Sequence, residues 1–121
     1  MKYHNQQFVR WDDIDAFGHV NNAKYLTYAQ EARFQWSWFE SAKRGEVDYL
    51  LPITEGGCFY DVTLWVDSIG NSSFVNGYEV SKDGVIYAKM KTVQVTIDLN
   101  TRKSRPINDA EREFLTKFLI K

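Results

Sequence analysis

Asp13-Ile14-Asp15-Ala16-Phe17-Gly18-His19-Val20-Asn21-Asn22, residues 13–22, is a polar stretch with one glycine that runs directly into Ala23-Lys24-Tyr25-Leu26. From Ala23 onward the pattern is helical. Tyr25, Leu26, Ala29, Ala32, Trp36 and Phe39 recur at steps of three and four, which makes one apolar stripe. Lys24, Thr27, Glu31 and Gln35 fall on a separate, polar face. Asn21 or Asn22 suits the cap at the start, and Arg44-Gly45 suits a stop. The spacing therefore predicts one long helix over residues 22–43.

Before the polar stretch, Gln6 to Trp11 reads as a short strand. After the helix, Val62, Leu64 and Val66 alternate with Thr63, Trp65 and Asp67, as in a half-buried strand. Ser72 to Val80 is strand-like, and Lys82-Asp83-Gly84-Val85 carries an Asp-Gly hairpin signal. Val85 to Leu99 is a long alternating run, with Val93, Val95 and Ile97 on one face. A strand of that length is expected to bend around something. Asn108 with Glu111 matches a capping box that opens a C-terminal helix, whose apolar face is Phe114, Leu115, Phe118 and Leu119. The expected fold class is α+β: a long central helix wrapped by a curved antiparallel sheet, with a C-terminal helix.

The composition bounds the rest. The chain has 121 residues, enough for a single domain over 1–121. Its 15 Lys+Arg against 16 Asp+Glu leave a net charge of −1, which argues against a nucleic-acid partner bound by counterion release. No apolar run has the roughly 18 residues of a membrane span. Residues 1–7 hold no apolar signal core, and Cys58 is the one cysteine, so the expected location is the cytoplasm.

Two carboxylates, one imidazole and two carboxamides within ten residues make residues 13–22 the densest functional grouping. A helix start supplies unpaired N–H groups and a positive dipole end, which can polarise a carbonyl. A carboxylate beside it can act as base or nucleophile. Such loops also serve simply as turns and caps, and that is how Asp13 reads. With only His4 and His19 and no ligand spacing, no metal site is expected. Cys58 reads as a small apolar filler.

The run Asp15 to Leu26, continuing through Tyr28 and Glu31-Ala32-Arg33, resembles the signature of hotdog-fold acyl-CoA thioesterases, in particular the 4-hydroxybenzoyl-CoA thioesterase-like family. Weaker echoes are Glu46 to Leu50, Ile69 to Phe74 and Arg105-Pro106-Ile107. The resemblance implies hydrolysis of a thioester to a free acid and coenzyme A, with no cofactor beyond the coenzyme A of the substrate. Asp15 would be the nucleophile or general base, and the Asn22 backbone N–H would polarise the thioester carbonyl. Gly18 would let substrate pass close to the backbone. His19, Val20, Asn21 and Tyr25 would contact it. Ser72 and Ser73 fit either a hydrogen bond to the pantetheine arm or a plain strand edge. Arg102, Lys103 and Arg105 fit coenzyme A phosphates or, better, a solvated basic turn. A homodimer is implied, and a tetramer is compatible with the same family.

The chemistry is self-consistent, because a thiol of pKa near ~8.5 leaves as thiolate without a strong acid beside it. No G-x-S-x-G elbow is present to suggest a serine hydrolase. The alternative on the same fold is a non-catalytic acyl-CoA or acyl-carrier-binding module. A dehydratase is disfavoured, since His19 follows Asp15 too closely to form the required pair. One expectation is awkward: family members carry a further strand between the long helix and residues 62–67. The chain therefore reads as if a strand were deleted, or missing from the sequence, between Phe59 and Tyr60.

Overall fold

The structure, a computed structural model, describes residues 1–16, 18–37 and 41–120, with Asn22 and residues 41–48 described by their backbone. Five strands form one antiparallel sheet: β1 (Tyr3–Val9), β2 (Ser41–Tyr49), β3 (Cys58–Ile69), β4 (Ser73–Lys82) and β5 (Val85–Thr96). Their order across the sheet is β1-β3-β4-β5-β2. The helices are α1 (Asn22–Trp36) and α2 (Asp109–Lys117). A short 3-10 turn, Trp11–Asp13, follows β1.

One face of the sheet is built from Val62, Leu64 and Val66 of β3, Phe74, Tyr78 and Val80 of β4, and Ala88 and Met90 of β5, all buried. Against it lie Tyr25, Ala29, Ala32 and Trp36 of α1, the stripe that the sequence spacing anticipates. Thr27, Glu31 and Gln35 lie on the far side of the helix. The period-two pattern of β3 and the 3.6-residue period of α1 thus meet in one core. Register shifts between Val66 and Ser68 and between Val80 and Ser81 bend the sheet around that helix. The β4–β5 hairpin turns at Asp83 (φ 52°) and Gly84 (φ 80°), both left-handed, as the Asp-Gly signal requires. At Gly77 a Cβ would collide with the Trp65 indole, so the outer face of the sheet there is a glycine slot beneath a tryptophan.

The long helix is shorter than the spacing predicts. α1 ends at Trp36, with Ser37 already extended (φ −94°, ψ 143°), and residues 41–43 open β2 rather than close a helix. Arg44-Gly45, read as a helix stop, pairs with Val93 and Thr92 inside the sheet. Phe39, assigned to the apolar stripe, lies outside the described residues. Ser41-Ala42-Lys43 is no strand by local preference. It becomes one because consecutive residues of β2 match β5 from Ser41↔Thr96 to Tyr49↔Ala88, and ladder pairing outweighs propensity.

The same strand corrects the expected gap. The element sought between the helix and residues 62–67 is β2, earlier in the chain than anticipated. Phe59 and Tyr60 are continuous inside β3, opposite Phe8 and Gln7 of β1. The other boundaries shift modestly. β1 covers 3–9 instead of 6–11, β3 extends the 62–67 strand at both ends, and β5 stops at Thr96.

α2 opens on the capping box read from sequence. Asn108 Oδ1 accepts from Glu111 N at 2.8 Å, and Asn108 N donates to Glu111 Oε1 at 3.0 Å. Its Phe114 ring and the Phe118 ring that follows pack on Trp36, with centroids 5.1 and 5.4 Å away. Arg105 does not belong to a solvated basic turn, nor does it reach out for a phosphate. Its guanidinium grips the buried Glu111 carboxylate through two bonds, of 2.8 and 2.7 Å, while its Nε donates to Ile97 O. Arg102 and Lys103 are exposed.

Candidate active site

Between β1 and α1 the chain folds back on itself as a three-rung ladder. Asn21 N donates to Asp13 O at 3.0 Å, Ile14 and Val20 form an antiparallel bridge, and Asp15 N donates to His19 O at 2.8 Å. Gly18 closes the loop with φ +79°, a conformation that favours glycine, and donates its N–H to Asp15 O at 3.0 Å. A Cβ on Gly18 would meet nothing within 4 Å, so the backbone there faces open space. The half-buried Asp15 carboxylate accepts from His19 N at 3.4 Å.

The ladder delivers the chain into the N-terminus of α1. Asn21 is the cap, its side chain accepting from Ala23 N at 3.0 Å and its carbonyl from Lys24 N at 2.9 Å. The Asn22 amide is the first of the helix, one of those that helical geometry leaves without an intrahelical acceptor. The positive end of the helix dipole therefore lies at the foot of the loop that carries Asp15.

Beside this junction is a cavity of about 250 Å³, walled by His19 and Val20 of the loop, Tyr25 of α1 and the segment Tyr49 to Pro52 at the end of β2. The walls are stitched together. Val20 N donates to Ile53 O at 2.8 Å, Ile53 N donates to the Tyr25 hydroxyl at 3.2 Å, and the amides of Leu50 and Leu51 both donate to Tyr87 O. Tyr25 meets Tyr49 edge to face, centroids 5.1 Å apart. Burial raises the Tyr25 phenol above its ordinary pKa, against a smaller opposing effect of the Ile53 N–H, so the ring stands in the wall as a neutral group. Tyr49, Leu50 and Leu51 remain 45%, 51% and 47% exposed, an apolar lip on the cavity.

Of the residues singled out from sequence, Gly18, His19, Val20, Asn21, Asn22 and Tyr25 gather at this junction with Asp15. Asp15 is not itself a wall residue; its carboxylate accepts from the backbone N–H of His19, which is one. Ser72 and Ser73 are not brought to it. The loop leaves the sheet at Val9, opposite Cys58, whereas Ser73 begins β4 beside Ile69. The 12 residues of β3 separate the two ends, roughly 36 Å at the usual strand rise. The Ser72 carbonyl there accepts from the Thr96 amide and hydroxyl.

Two features escaped the sequence reading. Of the lip residues, Leu50 entered only as the end of the Glu46 to Leu50 echo, and Leu51 and Pro52 were not singled out for the site. Asp13, read as a turn residue, is 3% exposed and lies at the centre of a cluster. Its Oδ2 accepts from the Tyr28 hydroxyl at 2.8 Å and from Arg10 N at 3.2 Å. Its Oδ1 faces the Arg10 guanidinium at 3.7 Å and the Lys24 ammonium at 3.6 Å. Burial alone would raise the Asp13 pKa; the hydrogen bonds and the two cations outweigh it and hold the carboxyl below its usual range. Burial, then the bond to Asp13, pushes the Tyr28 phenol far above its own.

Among the described residues no group of three or more His, Cys, Asp or Glu side chains could hold a metal ion, and no helix is long and apolar enough to cross a membrane.

The model of a family described as the thioesterase-like superfamily matches residues 9–115. Among solved structures, a thioesterase from Thermus thermophilus, complexed with coenzyme A and Zn, is 32% identical; the match covers 95% of this chain and 92% of that one, with a TM-score of 0.82. A predicted thioesterase from Bacillus stearothermophilus superposes with a TM-score of 0.91 at 24% identity, over 100% of this chain and 98% of that one. A 1,4-dihydroxy-2-naphthoyl-CoA thioesterase from Synechocystis gives a TM-score of 0.80 at 21% identity, over 96% of each chain. No curated protein matches the chain. The near-complete coverage on both sides of the Bacillus match agrees with a sheet from which no strand has been lost.

Proposed function

The chain belongs to the thioesterase-like superfamily and has its hotdog fold, and on that premise we propose that it is an acyl-CoA thioesterase of the 4-hydroxybenzoyl-CoA thioesterase-like kind. The observation that carries the reading is the junction of the Asp15 loop, the N-terminus of α1 and a cavity with an apolar lip. In this reading the thioester carbonyl oxygen lies on the Asn22 amide, where the helix end stabilises the negative charge that develops. Asp15 either adds to the carbonyl carbon or removes a proton from a water that adds. The C–S bond then breaks, coenzyme A leaves as thiolate, and the acid is released once water has supplied its oxygen. The apolar lip at Tyr49, Leu50 and Leu51 would receive the acyl group.

We further read the site as shared between two copies, with a homodimer as the working unit. β2 is an edge strand of the sheet, and its C-terminal end carries the exposed lip. The proposed compartment is the cytoplasm.

The test is a panel of acyl-CoAs with aryl, short aliphatic and long aliphatic groups. Free thiol release and binding are measured in parallel, on protein whose mass is established by light scattering. The expected result is turnover of at least one class by a dimer. Binding without release would instead favour a non-catalytic acyl-CoA-binding module.

A further inference from the structure

We propose that Asp13 is a positioning residue for this reaction: its buried carboxylate clamps the end of β1 to the first turns of α1 and so fixes where Asp15 stands. The inference rests on the thioesterase reading for its kinetic consequence, but the clamp itself is a matter of geometry. One side chain reaches two elements at once. Towards β1 it holds Arg10 by the backbone N–H and the guanidinium; towards α1 it holds the Tyr28 hydroxyl and the Lys24 ammonium.

The backbone of the same residue is the first rung of the Asp15 ladder. Asp13 O accepts from Asn21 N, the amide of the helix cap. Asp15 lies two residues further on, held by the third rung. The side chain of Asp13 thus sets the angle between strand and helix, and its carbonyl passes that setting to both reacting partners, the Asp15 carboxylate and the Asn22 amide. A displacement of about 1 Å between such partners costs up to about a hundredfold in rate. Arg10, Lys24 and Tyr28 line a separate groove with Asp13, apart from the cavity beside Tyr49. Substrate affinity is therefore not what Asp13 controls.

The test uses Asp13→Asn and Tyr28→Phe, each nearly isosteric, in the full chain. With an acyl-CoA that the native protein hydrolyses, both variants should lose about 10- to 100-fold in kcat with KM changed less than about threefold. Combining them should cost no more than the worse single change, because both open the same clamp. A purely structural role would lower the amount of folded protein without this split between kcat and KM, and that result would overturn the proposal.

A second readout needs no activity. Amide hydrogen exchange at Asp15 and Val20, both bonded in or beside the ladder, should quicken at least about tenfold, while amides of β4 and β5 keep their native rates. Native kcat in both variants, or unchanged exchange at Asp15 and Val20, overturns the clamp. If the native protein releases no thiol while exchange still quickens, the hydrolase reading fails and the clamp stands. Should Asp13→Asn not fold, Tyr28→Phe decides alone.

Discussion

Asp15→Asn is expected to slow thiol release from an acyl-CoA about a thousandfold, with a melting temperature within a few degrees of the native protein. The rate effect follows from the proposed division of labour. The helix end can polarise a carbonyl in the variant as before, but a carboxamide can neither accept a proton from water nor add to a thioester usefully. The fold should hardly notice. The Asp15 side chain is half-buried and accepts a long bond, 3.4 Å from His19 N, which an asparagine oxygen can also accept. The ladder around it is backbone to backbone. Turnover of Asp15→Asn within about tenfold of native would sink the assignment. Single turnover in oxygen-18 water then separates the two roles, since only a nucleophilic Asp15 acquires the label in the protein.

Arg105→Ala is expected to cost about 3 kcal/mol of stability, or roughly 10 °C in melting temperature, with no direct part in the chemistry. Glu111 is 1% exposed, and the paired guanidinium is the cation that balances its charge. Removing Arg105 strands a buried carboxylate, which is worse than never having built the pair. Glu111→Gln should be milder, about 1 kcal/mol, because the amide oxygen can still accept from Asn108 N.

The pH dependence has a definite sign. Hydrogen bonding from Arg105, against the opposing effect of burial, holds the Glu111 carboxyl below its ordinary pKa. Its contribution is therefore complete above the unfolded value of about 4.3 and is lost as pH falls through the lower folded value. The stability gap between native and Arg105→Ala should be widest near neutrality and narrow below about pH 4. Thermal melts near neutrality and below about pH 4 check this. A gap independent of pH would show that packing of the Arg105 stem, not charge, holds the end of the chain.

What could be read along the chain, and what could not, divides by the range of the forces involved. The stripe of α1, the alternation in β3, the Asp83-Gly84 turn and the Asn108–Glu111 box were legible because each is a contest among residues a few positions apart. The Asp15 to Asn22 motif was legible through its family resemblance, and the Asn21 cap because it needs only local neighbours; the three-rung ladder that shapes the loop was not foreseen.

β2 was not legible. Ser41-Ala42-Lys43-Arg44 carries no strand pattern, and only the waiting edge of β5, far along the chain, makes it one. Arg105, Asp13 and the lip at Leu50 were hidden for a related reason. Whether an arginine is solvated, an aspartate buried or a leucine exposed depends on what the rest of the chain brings against it, and burial is a property of the assembled fold. Local pattern thus sufficed for the elements whose contacts are short-range and for the motif that singles out the loop. Only the assembled fold settles which strand closes the sheet, which charges are locked in pairs, and that Ser72 and Ser73 lie at the opposite end of β3 from the Asp15 loop, because each depends on residues far apart in the chain.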